Sequence, residues 1–328
     1  MPGFMTFFYN LLYPLEWLIS WVMWLWHWVF VTVFRMPDGS SFAWCLAIIF
    51  LTFTVRAVIF PLYNKQVRSM AKMQVIQPEM QKIQAKYKGK QDPASREAMT
   101  RETMALYKKY GTSPTSSCLP SLVQAPVFMA LYNVLYRLAN IAAGKEKGIG
   151  AFTQKVAKEI ENTYFFNVKL SAMFTSSDGS ARALIVVFVV LMCLTMFLMQ
   201  WYSMHNNIPR ESMQGKQWQM QKMMAFGFPL MYIFSGIVVP FALLLYWLTN
   251  NLWTLGQTYW QVNTFPTPGS PAAERKAKRD YQHEQARRKR LGLPSIEEEK
   301  VMEAEKEREE RQKNGFQRAQ PVRKRRKK

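Results

Sequence analysis

Arg56 stands fourteen residues into an apolar run, 42–62, that carries no other charge. A cation at such depth costs about 2.5–3.5 kcal/mol on insertion scales, and arginine cannot shed its proton because its pKa stays above ~12. Either a buried carboxylate or water held by neutral polar side chains must compensate it. No Asp or Glu occurs within 42–62, 119–136, 183–204 or 223–262, and Glu16 is the one acid in any apolar stretch. An ion pair to Arg56 is therefore not expected. Neutral polar residues do recur at helical spacing. Thr52 and Arg56 are i, i+4, and Ser121, Gln124 and Phe128 share a face. Gln200 lies near the cytoplasmic end of its segment, and Trp247, Asn251, Thr254 and Thr258 fall at i, i+4, i+7 and i+11. Amides and hydroxyls hold water around a guanidinium without cancelling its charge. The pattern predicts a hydrated, net positive groove. Its plainer rival is an arginine that snorkels to the interface.

Other chemistry is poorly served. His27, His205 and His283 are scattered, with no HExxH and no metal-ligand cluster, and neither Gly-x-Ser-x-Gly nor a phosphate-binding glycine loop is present. No cofactor and no catalytic residue is expected. Cys45, Cys118 and Cys193 lack paired spacing and read as small hydrophobes. The 21 methionines suit an adaptable apolar surface for varied partners.

The elements that must position these residues are membrane spans. Among 328 residues, 43 Lys and Arg face 22 Asp and Glu, and the charge collects outside long apolar runs. Core spans are expected at 42–62, 118–139 and 183–204, with a two-span hairpin at 223–262 that turns around 236–240. Residues 9–34 form a further hydrophobic helix. Its Trp17, Trp21, Trp24 and Trp28 share one face, which leaves open whether it spans or lies in the interface. The 63–117 connection holds eleven Lys and Arg against four acids, which places it in the cytoplasm. The 140–182 loop is then extracytoplasmic, and the 205–222 loop and the 263–328 tail are cytoplasmic. At ~1.5 Å per residue Arg56 lies about 21 Å into its span, in the cytoplasmic half. The N-terminus has neither the basic n-region of a signal peptide nor a transit-peptide composition, so a bacterial plasma membrane fits best.

The 63–117 loop predicts a helical hairpin. Met73, Ile76, Met80, Ile83 and Tyr87 form one stripe and Met99, Thr103, Leu106 and Tyr110 a second, separated by Gly89 and an Asp92-Pro93 start signal. Pro78 is expected to kink the first arm. The tail opens with Pro266, Pro268 and Pro271, continues into a basic run at 275–290, and then shows a Ser295/Glu298 capping box before a helix at 296–313. Its basic residues, including the run at 323–328, suit contact with anionic lipid or ribosomal RNA, and the tail reads as solvated.

These residues carry a resemblance. Thr52-Phe-Thr-Val-Arg56 leading to Pro61-Leu62, Met70-Ala-Lys-Met73 with Gln77-Pro78, and Cys118-Leu-Pro-Ser-Leu-Val-Gln124-Ala-Pro126-Val-Phe128 through Tyr132 are similar to the YidC/Oxa/Alb membrane protein insertase family. So are Thr195-Met-Phe197 with Gln200, Pro240 with Leu245-Tyr-Trp247, and Asn250-Asn-Leu-Trp-Thr254 with Gln257. The match runs in order from about Pro14 to Gln261. It implies an all-α polytopic membrane protein with five core transmembrane helices around a hydrophilic groove, plus an N-terminal helix, a cytoplasmic hairpin and a basic tail, of the compact Gram-positive or actinobacterial type. It further implies that Arg56, Thr52, Gln124, Phe128, Gln200 and Trp247 line a substrate groove, to which the helical spacing from Trp247 adds Asn251. The implied partners are nascent membrane proteins, the ribosome, the Sec translocon and targeting factors. Where many members have Pro-x-Gly, this chain has Pro240-Phe-Ala242, which leaves the bend there open. The alternative is an anion or solute transporter using Arg56 as its site. It predicts internal repeats and broken helices, and neither is visible in the sequence.

Overall fold

Helices dominate the computed structural model, which describes residues 2–37, 41–90, 92–113, 119–213 and 215–313. Cys118, the 323–328 run and the side chain of Ser121 lie outside what is described. The helices are α1 (Pro2–Trp28), α2 (Ser41–Val75), α3 (Gln77–Lys86), α4 (Pro93–Lys109), α5 (Leu119–Ala142) and α6 (Gln154–Glu161). They continue with α7 (Gly179–Asn207), α8 (Gly215–Val238), α9 (Phe241–Thr264), α10 (Pro271–Arg290) and α11 (Ile296–Lys313). Among the described residues α2 and α7 are long and apolar enough to cross a membrane.

Side-chain contacts give the helix directions. Phe53 meets Trp253 and Asn64 meets Gln261, so α2 and α9 run parallel. Val189 faces Gly236 and Phe197 faces Phe226, so α7 and α8 run antiparallel. One core threads the bundle: Trp44, Ile48 and Leu51 of α2, Leu131 and Val134 of α5, Ile185 and Met192 of α7, and the N-terminal half of α9 from Phe241 to Tyr246. Cys45 is part of that core, and the thiol of Cys193 donates to the Pro229 carbonyl at 3.1 Å.

α1 buries Leu12, Ile19 and Met23 against α2 and α5 and leaves Trp17, Trp21 and Trp28 exposed. Its Glu16, only 1 % exposed, meets Arg137 of α5 at 3.5 Å and accepts from Asn133 at 3.2 Å. Arg137 also binds Glu146 at 2.6 Å. The lone acid of the apolar segments thus neutralises Arg137 and not Arg56.

The 140–182 loop is ordered by the same core. Ile149, Phe152, Ile160, Val168 and Leu170 are buried, and β1 (Tyr164–Phe165) pairs antiparallel with β2 (Val168–Lys169). The two residues between them, Phe166 and Asn167, both take positive φ, as the tight primed hairpin turn demands. This loop caps α9. Pro240 offers no side-chain cap, and the first α9 amides, Phe241 and Ala242, donate instead to the carbonyls of Ala172 and Leu170, each at 2.8 Å. The Pro240-Phe-Ala242 bend therefore needs no glycine.

At the other end, α2 does not stop at residue 62. It accommodates Pro61 and runs to Val75 through good helix formers. The break falls at Ile76, just before Pro78, which lacks the amide that would close on the Gln74 carbonyl. That carbonyl accepts from the Ser212 hydroxyl at 2.9 Å. α3 and α4 then form the expected hairpin, with Ile76, Met80 and Leu106 buried at its seam and the Asp92 carboxylate capping α4 through the Ser95 amide at 2.8 Å. The unit from Glu274 onward pairs α10 with α11 through Tyr281 on Glu297 and Arg288 on Glu299. Ser295 and Glu298 form the capping box.

Two outcomes follow. Arg137→Met strands the buried Glu16 carboxylate and is expected to cost about 3 kcal/mol or more, while Glu146→Gln at the half-exposed partner costs under ~1 kcal/mol; thermal unfolding in micelles reads both. In the hairpin, the Tyr110 hydroxyl and then Lys109 hold the Glu79 carboxyl below the usual carboxylate range, and Lys86 and then Tyr87 do the same for Glu102. A depressed native pKa stabilises fully above the unfolded value of ~4.3 and is lost as pH falls through the native one. Amide exchange in the hairpin, corrected for its intrinsic pH dependence, is expected to be flat from neutrality to about pH 5 and to rise below about pH 4.

Candidate functional site

Arg56 lies on α2 where that helix meets α9. It is 8 % exposed, and neutral side chains hold its guanidinium. Nε donates to Asn250 Oδ1 at 2.7 Å and Nη2 donates to Thr254 Oγ1 at 3.1 Å. Asn250 and Thr254 are one turn apart on α9, and the Thr254 hydroxyl gives its own proton to the Asn250 carbonyl at 2.7 Å, so a lone pair is left to face the arginine. No ion pair among the described residues includes Arg56. The charge is solvated by dipoles and stays uncancelled.

The register that delivers these partners is set by rings. Phe53 packs on Trp253 with centroids 5.6 Å apart and Phe60 on Trp260 at 5.5 Å, one turn above and one below the arginine. Toward the hairpin the seam turns polar. Gln261 Nε2 donates to Asn64 Oδ1 at 3.2 Å, and Gln257 accepts from Trp253 at 2.9 Å. Gln66 and Gln257 each bury an amide nitrogen that finds no acceptor. Buried donors of that kind call for a polar neighbour such as water.

A second group surrounds Trp247. Its ring stacks on Phe128 of α5 at 5.4 Å and 12°, and Tyr232 of α8 meets it edge-on at 5.7 Å. Asn251, one turn on, bonds to Tyr232 and reaches the Met192 carbonyl of α7 at 3.5 Å. Gln124 of α5 donates to the Tyr246 hydroxyl of α9 at 2.8 Å, and Tyr246 and Tyr63 lie within electrostatic reach of Arg56. Thr52, buried one turn before the arginine, gives its hydroxyl proton to Ile48 at 2.9 Å and makes no bond to Arg56.

The structure therefore divides the residues that sequence spacing grouped. Asn251 belongs with Trp247 and Tyr232, whereas its neighbour Asn250 meets Arg56. Gln124 approaches the arginine through Tyr246, and Phe128 joins Trp247. Gln200 stands half-buried on α7 with no hydrogen bond to the site. Sequence reasoning missed Asn250 and Tyr246. The i, i+4 spacing of Asn250 and Thr254 was the available signal for the first, and Tyr246 stood within the Leu245-Tyr-Trp247 motif without being singled out. No three His, Cys, Asp or Glu side chains converge as a metal site among the described residues.

Comparison with known proteins bears on the same region. Residues 36–267 match the model of a family described as 60Kd inner membrane protein. A membrane protein insertase YidC of Bifidobacterium longum is 51% identical over 327 residues, covering 99% of this chain and 97% of that one. YidC insertases of Streptomyces avermitilis and Tropheryma whipplei are 37% and 31% identical, over 77% and 89% of this chain and 59% and 92% of theirs. A solved active YidC insertase with its first transmembrane domain resolved is similar over 77% of this chain and 46% of its own, at 24% identity and a TM-score of 0.44.

The division of the two asparagines has a measurable consequence. A double-mutant cycle of Arg56→Met with Asn250→Leu is expected to show a coupling of about 1.5–3 kcal/mol in unfolding free energy, the range of a charge-assisted hydrogen bond. The same cycle with Asn251→Leu should be additive within ~0.5 kcal/mol.

Proposed function

The chain belongs to the 60Kd inner membrane protein family, the YidC/Oxa family of its insertase relatives, and on that premise we propose that it inserts nascent proteins into the bacterial plasma membrane. In this reading α2, α5, α7, α8 and α9 are the five core spans, the α3–α4 hairpin and the tail are cytoplasmic, and the ordered 140–182 loop closes the opposite end. The insertase needs no cofactor and catalyses no covalent step.

The observation that carries the mechanism is the uncancelled charge of Arg56. Held by Asn250 and Thr254, the guanidinium has committed two of its five N–H donors to protein acceptors and retains its full attraction for an anion. An acidic or hydrophilic segment at the substrate's N-terminus enters beside it, along the polar seam lined by Asn64, Gln66, Gln257 and Gln261. The polar path shortens the apolar barrier that segment must cross. The substrate's hydrophobic helix passes the Phe128–Trp247–Tyr232 rings into lipid, and burial at roughly 25 cal/mol per Å2 drives its release. The membrane potential assists outward transfer of an acidic residue by about 2.3 kcal/mol per charge per 100 mV. The basic tail receives the ribosome and anionic lipid through phosphate charge, and the hairpin meets targeting factors or the Sec translocon.

Depletion of the chromosomal copy and rescue by variants, scored on insertion of a single-span substrate with an acidic N-terminus, tests this. Arg56→Ala is expected to lose about tenfold in insertion, which corresponds to ~1.4 kcal/mol; Arg56→Glu should lose more and Arg56→Lys should retain most activity. Equal insertion by wild type, Arg56→Ala and Arg56→Glu would sink the mechanism. Saturable binding of a small inorganic anion, lost in Arg56→Ala, would favour a transporter.

A further inference from the structure

Segments far apart in the chain converge on one half-buried glutamine, Gln74, in the last turn of α2. Its backbone carbonyl, which Pro78 leaves without a helical donor, accepts from Ser212 of the α7–α8 connection at 2.9 Å. Its side-chain Oε1 accepts from the Thr267 hydroxyl, beyond the end of α9, at 3.1 Å. The Thr267 amide in turn donates to Asn207 Oδ1, at the end of α7, at 2.8 Å. One residue thus holds the helix break before α3, the α7–α8 connection and the chain that leads into α10.

The prolines of 265–271 read as a linker in the sequence, yet the structure fastens this segment at several points. Thr267 and Ser270 are wholly buried. The Arg68 guanidinium of α2 lies 4.4 Å from the centre of the Phe265 ring. Gly269 turns at a φ of 77° beside Pro209 of the α7–α8 connection. Ser270 then accepts from the Ala273 amide at 3.3 Å, so the first turn of α10 is built on this junction. The basic run of the tail begins at Arg275, five residues beyond Ser270. The far arm of the α3–α4 hairpin returns to the same stretch of α2, where the Thr112 and Ser69 hydroxyls meet at 3.1 Å.

We propose that Gln74 and Thr267 are positioning residues of an interlock, which couples occupancy of the basic tail to the angle at which the α3–α4 hairpin leaves α2. The inference rests on the proposed function in one respect, that the tail binds the phosphate charge of the ribosome. Pro78 removes the bond that would stiffen the helix across Ile76. The angle there is set instead by two hydroxyls, Ser212 and Thr267, that belong to other parts of the chain. A large polyanion engaging 275–290 draws the chain away from Gln74, because many phosphate contacts outweigh one neutral hydrogen bond. Gln74 is then held by Ser212 alone, and the hinge loosens. Such coupling is reciprocal: a hinge already loose must raise the tail's affinity for the polyanion by the same factor.

The test measures amide exchange across 74–80 in the full chain in micelles, with and without saturating bacterial ribosomes, together with ribosome affinity. In the wild type, ribosomes are expected to speed exchange there about tenfold. Thr267→Val should show the faster rate already, gain less than about twofold when ribosomes are added, and bind them about tenfold more tightly. Thr267→Ser keeps the hydroxyl and should match the wild type in all three. Gln74→Met removes the same bond from the other side and keeps the Gln74 carbonyl. It should repeat the result, and it decides the matter if Thr267→Val does not fold. A purely structural bond would make exchange faster in both variants while leaving affinity unchanged and the ribosome's effect undiminished, and that outcome would overturn the proposal. So would wild-type exchange that ribosomes do not alter, or a response to anionic vesicles and none to ribosomes. Either leaves the insertase reading intact if Arg56→Ala still fails to insert. Ribosomes that do not bind the chain at all would remove the tail's part in that reading and the interlock with it.

Discussion

An arginine that cannot lose its charge, inside a helix bundle that offers it no carboxylate, constrains everything around it. The constraint is met by one amide oxygen and one hydroxyl on a neighbouring helix. Both must sit at hydrogen-bond distance from a planar guanidinium, so α2 and α9 are held in a single relative register. The ring pairs above and below, Phe53 with Trp253 and Phe60 with Trp260, keep that register by packing, which dipoles alone would not do. Satisfying the donors without neutralising the charge leaves a site with attraction to spare. A salt bridge would have stabilised the arginine and silenced it.

The other buried charges show the contrast. Glu16 and Arg137 cancel one another between α1 and α5, with Glu146 as a third partner. Charge there serves to fasten the N-terminal helix to the bundle. Two arginines thus sit in similar apolar surroundings and play opposite parts, because one has an acid on the adjacent helix and the other has an asparagine. The same economy of partners holds at the bundle's ends. Loop carbonyls of Ala172 and Leu170 cap α9, and a serine hydroxyl takes up the Gln74 carbonyl that Pro78 leaves open.

Motion and recognition divide along the same lines. The end bearing the 140–182 loop is knitted into the main core through Phe152, Ile160 and Leu170. The α3–α4 hairpin has a small core of its own, held by exposed ion pairs that contribute modestly in water. Such an element opens at lower cost than the bundle.

Much of this was legible in the chain. Apolar run lengths placed the helices, and two matched stripes with Asp92-Pro93 between them predicted the two arms of the hairpin. An arginine without an acid nearby marked the candidate site. Spacing along one helix could not say which of two adjacent asparagines would face it, because Asn250 and Asn251 differ by only 100° and each had a plausible face. That choice was made by the packing of α9 against α2 and α7, which turned Asn250 to the arginine and Asn251 to Tyr232. Nor did the run 42–62 reveal that α2 would continue to Val75, since the end of an apolar stretch is not the end of a helix. The sequence by itself determined what had to be solvated, a permanent charge in an apolar run. Only the tertiary structure decided what solvates it, because the acceptors come from a helix almost two hundred residues away whose rotation is set by its neighbours.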